Sequence, residues 1–175
     1  MTPRLPVAER RHQLIDAALT VAAREGVQAV TARRVAAEAG VSLGVVHYCF
    51  DSVTDLLAQV ATVILDANLA AAREVLRPGD DLPRVLHEGL RGLWEFIEAS
   101  RDLQLLTYEL TTHALRHAAE PGSDSGYAGL AARQQRDSLA AAQQFLDAAA
   151  QAAGVRWSVP TGLLARMVLA VESKC

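Results

Sequence analysis

Apolar residues recur at helical spacing along nearly the whole chain, and no segment alternates as a strand would. In the first segment Leu14, Ile15, Ala18, Leu19 and Ala22 fall on one stripe, which predicts a helix over about Val7 to Glu25. Alanine and leucine dominate the composition, and both lose little side-chain freedom in a helix. The fold class expected is therefore all-α. With 175 residues, 51% of them apolar, the chain is long enough to bury a core.

Punctuation residues divide this helical pattern. Gly26 is expected to stop the first helix by taking a left-handed conformation. Thr31 caps a short helix over Ala32 to Ala39, ended by Gly40, and Ser42 caps another that reaches about Tyr48. Ser52-Val53-Thr54-Asp55 reads as a capping box opening a fourth helix that runs to about Leu76. Arg77-Pro78-Gly79-Asp80 breaks the chain, and helices follow over about Leu82 to Ala99 and Asp102 to His117. Glu120 to Gly126 reads as a loop, Tyr127 to Ala153 as a long helix ended by Gly154, and Pro160 opens the last helix. The organisation expected is a three-helix head over 1–51 and a helical body over 52–175.

Several classes are disfavoured. No stretch approaches the roughly 18 to 20 unbroken apolar residues of a membrane span. Met1 to Arg11 lacks the apolar core of a signal peptide, and Cys49 and Cys175 form neither a disulfide framework nor a metal quartet, so a reducing cytoplasm is expected. There is no Glu-x-x-His pair, no His-Glu-x-x-His, no phosphate-cradling glycine loop and no Gly-x-Ser-x-Gly, so neither an enzyme nor a cofactor is expected. Glu109, His113 and His117 line one helix face at metal-ligand spacing but have no evident fourth ligand, so no metal site is expected and a polar face is the simpler reading. Cys49 beside the short third helix reads as a small apolar residue.

The unit from Thr31 to Tyr48 carries the functional reading. Gly40-Val41-Ser42 joins two short helices that Val35, Ala36 and Val46 can pin together, with Val41 buried in the turn, which is helix-turn-helix spacing. Such a unit presents the N-terminal end of its second helix to the DNA major groove. Ser42, Gly44 and Val45 are small enough for close approach, while His47 and Tyr48 can reach phosphates. Arg33 and Arg34 add positive charge at a helix N-terminus, and Arg4, Arg10 and Arg11 sit where an arm would follow the backbone. Charge is uneven in the same sense. Residues 1–48 hold six Arg against four Asp or Glu, whereas the whole chain is at −3.

Residues 10–57 resemble the DNA-binding domain of the TetR family of bacterial regulators. The resemblance rests on Leu14-Ile15-Asp16-Ala17-Ala18, Gly26, Thr31, Val35-Ala36, Ala39-Gly40-Val41-Ser42, Gly44, Tyr48, Phe50, Ser52 and Leu56-Leu57. It implies a homodimer on a palindromic double-stranded operator, a repressor released by a small apolar or amphipathic effector in the body. Carried over by position, Arg33, Ser42, Leu43, Val45 and Tyr48 are candidates for base contacts, and Thr31, His47 and Tyr48 for phosphates. Trp94, Ile97, Tyr108, His113, Tyr127 and Phe145 are candidates for the effector pocket, with the competing reading that they fill the core. The sequence departs from the family at His47 and Cys49, and at Val53, where a lysine is usual; the lost cation removes one phosphate contact. The family dimerises mainly through two long final helices. Here one helix follows the long one, and Cys175 stands about where another is expected. The alternative function is a helical adaptor that has lost specific DNA binding.

Overall fold

The structure is a computed structural model that describes residues 6–118 and 125–172. Eight α-helices are assigned there: α1 (Val7–Glu25), α2 (Ala32–Ala39), α3 (Leu43–Cys49), α4 (Val53–Glu74), α5 (Leu82–Ala99), α6 (Arg101–Ala118), α7 (Ser125–Ala153) and α8 (Thr161–Glu172), with a 3-10 turn over Val27–Ala29. No strand occurs among the described residues. The loop expected over Glu120 to Gly126 lies largely outside them.

The chain packs as two compact units. A head unit comprises Met1–Thr62 with Asp102–Gln134, and a body unit comprises Val63–Arg101 with Gln135–Cys175. Helices α4 and α7 each contribute residues to both. In the head, α1 packs on α2, the 3-10 turn and α3, and α2 packs on α3. Leu14, Val21 and Val35 are fully enclosed there, with Leu56, Leu57 and Val60 of α4 and Leu110 of α6 buried in the same unit. Each buried aliphatic side chain of this size contributes roughly 1.5–3 kcal/mol through removal from water. In the body, Val85 and Ala149 are enclosed, and the Trp157 indole N–H donates to the Leu146 carbonyl at 3.1 Å.

Several expectations need correction. Gly26 has positive φ (85°) but ψ 161°, so it ends α1 in an extended, glycine-type conformation and not in the left-handed helical one. Val41 is only half-buried. Its N–H bonds the Ala36 carbonyl (3.0 Å) while Gly40 N–H bonds that of Ala37, so the turn is closed by backbone bonds more than by burial of a side chain. Helix α4 is long and apolar enough to cross a membrane, with a mean hydropathy of 1.3 over its best window. Counting unbroken apolar runs missed this, because alanines between its few charges raise the average. Leu56, Leu57, Val60 and Ile64 of α4 are buried against protein, which is the same composition put to use in a core. The helix also stops at Glu74, short of Leu76.

Candidate nucleic-acid interface

Helix α3 has only seven residues. A helix this short does not hold its shape in water by itself, since nucleation is costly and few bonds follow it. Its surroundings must hold it. Val46, Cys49 and the following Phe50 are buried against the head. The opposite face is open: Ser42, Gly44, His47 and Tyr48 are exposed, Tyr48 at 71%, with Leu43 and Val45 half-buried beside them. A Cβ built on Gly44 would meet only the Ser42 Oγ, at 3.9 Å, so internal packing does not demand a glycine there. Ser42 occupies the residue before α3, yet its hydroxyl makes no capping bond. Its carbonyl accepts from Val45 N–H instead, which corrects the expected side-chain cap.

Helix α2 is capped as expected, with Thr31 Oγ1 accepting from Arg34 N–H at 3.2 Å. The hydroxyl proton is left to donate. Thr31 and Arg33 are both exposed, and Arg33 has no ion pair among the described residues. Arg34 is placed differently. Its Nε and Nη2 form a fork on Glu25 (3.0 and 2.7 Å), and Nη2 also meets Glu38 at 3.0 Å. Arg24 joins the same two carboxylates at 2.8 and 2.9 Å. The hydrogen bonds from Arg34, and then from Arg24, hold the Glu25 carboxyl down to about 2, while Arg24 does most to lower Glu38.

The first helix reaches across to both helices of the motif. Gln13 Nε2 donates to the Ala39 carbonyl at the end of α2 (2.9 Å), and Arg10 Nη1 holds the Gln13 Oε1 at 2.6 Å. Arg11 Nη1 donates to the Cys49 carbonyl at the end of α3, with its guanidinium 4.3 Å from the centre of the Phe50 ring. Gln13 carried no recognisable sequence signal, because it bonds a residue 26 positions away. Arg4 lies outside the described residues.

The six effector candidates do not form one site. Ile97 and Phe145 line an apolar groove of about 270 Å³ in the body unit, together with Leu65, Leu69, Leu90, Leu93 and the polar Asn68 and Ser138. Tyr108 and His113 instead line a polar cleft of about 720 Å³ in the head unit, between α6 and the end of α1. There Glu109 Oε2 accepts from Val27 N–H at 3.3 Å, and the His113 and His117 rings meet edge to face at 4.3 Å. The Glu109, His113 and His117 row belongs to this cleft, and no metal-binding cluster is found among the described residues. Trp94 is 60% exposed and lines neither space. The Tyr127 side chain lies outside the described residues.

Residues 14–60 match the bacterial regulatory proteins of the tetR family. Over 114 residues the chain is 30% identical to the nicotine-responsive transcriptional repressor HdnoR of Paenarthrobacter nicotinovorans, which covers 65% of this chain and 59% of that protein. Over 104 residues it is 29% identical to the transcriptional repressor KstR2 of Rhodococcus jostii, 59% of this chain and 51% of the other. Among solved structures, the multidrug binding protein EbrR complexed with imidazole superposes with a TM-score of 0.65 at 28% identity, over 93% of this chain and 75% of that one. The chain spans about half the length of the curated relatives it matches.

Proposed function

We propose that the whole chain is a one-component transcriptional repressor of the tetR family, not an enzyme, that acts in the cytoplasm and leaves its operator when a small molecule binds the body; the match of residues 14–60 to that family supports this. The observation that carries this reading is the two-faced α3: buried through Val46 and Cys49, open through Ser42, Gly44, His47 and Tyr48. An exposed aromatic beside a glycine that packing does not require suits a surface shaped for another molecule. In the major groove, Ser42, Leu43, Gly44, Val45 and Tyr48 face base edges, and Thr31, Arg33, His47 and Tyr48 face phosphates. Arg34 contributes less, since its fork is already filled by Glu25. Two heads on a palindromic site require a homodimer.

The effector site is the body groove. Its volume lies just below the usual range of ligand pockets (about 300–1,000 Å³), which suits a small molecule, and its walls are apolar with Asn68 and Ser138 as the polar groups. A small apolar or amphipathic molecule fits that chemistry. The names of HdnoR and EbrR describe a nicotine-responsive repressor and a multidrug binding protein, ligands of a compatible kind. Helix α4 has residues in both units, so an effector that prefers one position of its body half biases the head.

The test is fluorescence anisotropy with duplexes from the chain's own upstream region, at two salt concentrations, with a random duplex as control. Salt-sensitive binding that prefers one duplex, and release by apolar or amphipathic small molecules, is expected. Tyr48→Ala should weaken that binding about tenfold or more, as loss of one good contact costs about 1–3 kcal/mol. Its thermal midpoint should stay put, because the side chain packs on little of the head. Equal binding to all duplexes by the wild-type chain overturns the reading.

A further inference from the structure

We propose that Arg11 and Gln13 of α1 are positioning residues for DNA recognition: each caps the C-terminal end of one helix of the motif from outside, and together they fix where α3 stands. The proposal rests on the DNA-binding reading above and deepens it.

The need for such a device follows from α3 itself. It is seven residues long, and the hydroxyl before it makes no cap. The last carbonyls of any helix lack intrahelical partners. In α3, Phe50 N–H takes the Val46 carbonyl, and Arg11 takes that of Cys49. The Arg11 charge lies at the negative end of the helix, where a cation is favoured. Its flat guanidinium also lies over Phe50, whose ring is almost fully buried. The carbonyl and the ring fix the guanidinium from two directions, so Arg11 sets both the height and the rotation of the end of α3. Tyr48 and His47 belong to that last turn.

Gln13 does the equivalent for α2. Its amide donates to the Ala39 carbonyl, beside the Gly40 turn, and Arg10 holds the amide oxygen so that the N–H₂ faces Ala39. Arg10 and Arg11 therefore each commit an Nη1 donor inside the head. The alternative assignment is the expected arm along the DNA backbone. The two assignments differ in a measurable way. A residue that neutralises a phosphate contributes about one unit to the slope of log affinity against log salt. A residue that only positions α3 contributes affinity and leaves the slope alone.

The experiment uses the full chain and a duplex that the wild type selects from a randomised pool, with a random duplex beside it. Arg11→Lys keeps the charge but loses the flat fork. It should lose about fivefold or more in affinity for the selected duplex, hold its affinity for the random one, and keep the wild-type salt slope. Gln13→Met, close in shape, should behave likewise. Arg33→Ala should lower both affinities and flatten the slope by about one unit. Arg11→Lys binding the selected duplex as the wild type does, or Arg11→Met flattening the slope by about one unit, overturns the clamp while the regulator reading stands. A wild-type chain that selects no duplex overturns both.

Discussion

In the head unit, Gly40 holds φ 65° with nothing within 4 Å of where a Cβ would lie. In the body unit, Gly89 lies within α5, and a Cβ there would fall 2.5 Å from the Phe145 ring. Gly92, one turn on, would meet Val75 at 2.9 Å and the Ala71 carbonyl oxygen at 3.1 Å. Gly40 thus serves through its backbone and has room for a side chain, while Gly89 and Gly92 serve through their missing side chains within ordinary helix. The head is set by directed bonds at helix ends, from Thr31, Gln13, Arg11 and the backbone of the Gly40 turn. The body is set by how closely α5 can approach α4 and α7. A recognition surface needs a fixed orientation, and directed bonds supply it. A groove for a small molecule needs a fixed width, and close packing supplies that.

The largest effect is expected in the body. Gly89→Val should lower stability by about 3 kcal/mol, the upper end of overpacking, even though leaving glycine improves helix propensity. A denaturant midpoint reads it, and Phe145→Leu in the same background should recover part of the loss. If Gly89→Val is as stable as the wild type, the close approach of α5 is not what sets the groove. A smaller loss is expected in the head. Gly40→Ala should cost about 1–2 kcal/mol through the left-handed backbone alone. No size-reducing second substitution should rescue it, since no atom is displaced.

The smallest effect concerns acid. Glu25 is held near 2, below its ordinary value of 4.5, chiefly by its hydrogen bonds to Arg34. A carboxyl lowered on folding stabilises the fold above its unfolded value, and that contribution disappears as pH falls from 4.5 through about 2. Glu25→Gln should therefore lose stability less steeply across that window than the wild type, measured by thermal midpoints at several pH values. Identical pH profiles would mean that solvent screens the network completely.

Legibility in the sequence followed the same division. The bounds of α1, α2 and α5 were readable because each start or stop is a local event: a glycine, a threonine, a proline-containing break. The exposed face of α3 was readable for the same reason, since periodicity separates Val46 from Gly44, His47 and Tyr48. Partners distant in sequence were not readable. Periodicity says which side of a helix is apolar but not which helix it meets, so Ile97 and Phe145 could not be told apart from Tyr108 and His113 in advance. Arg34 looked like a free cation because its main partner, Glu25, lies on another helix. Gly89 and Gly92 carried no signal of their role, because the ring and the carbonyl they admit belong to other segments.

The ion network of Arg24, Arg34, Glu25 and Glu38 bears on how fast this head finds its site. Two arginines closed on two carboxylates are nearly neutral from a Debye length away, about 8 Å at physiological salt. Arg10 and Arg11 are tied to Gln13 and the Cys49 carbonyl, which leaves their charge in place but fixes it within the head. The field that draws the molecule to a polyanion therefore comes from Arg10, Arg11 and Arg33 and not from Arg24 and Arg34. Discrimination among sites then depends on how long the molecule stays once α3 has seated, a dissociation rate, and not on how often it arrives.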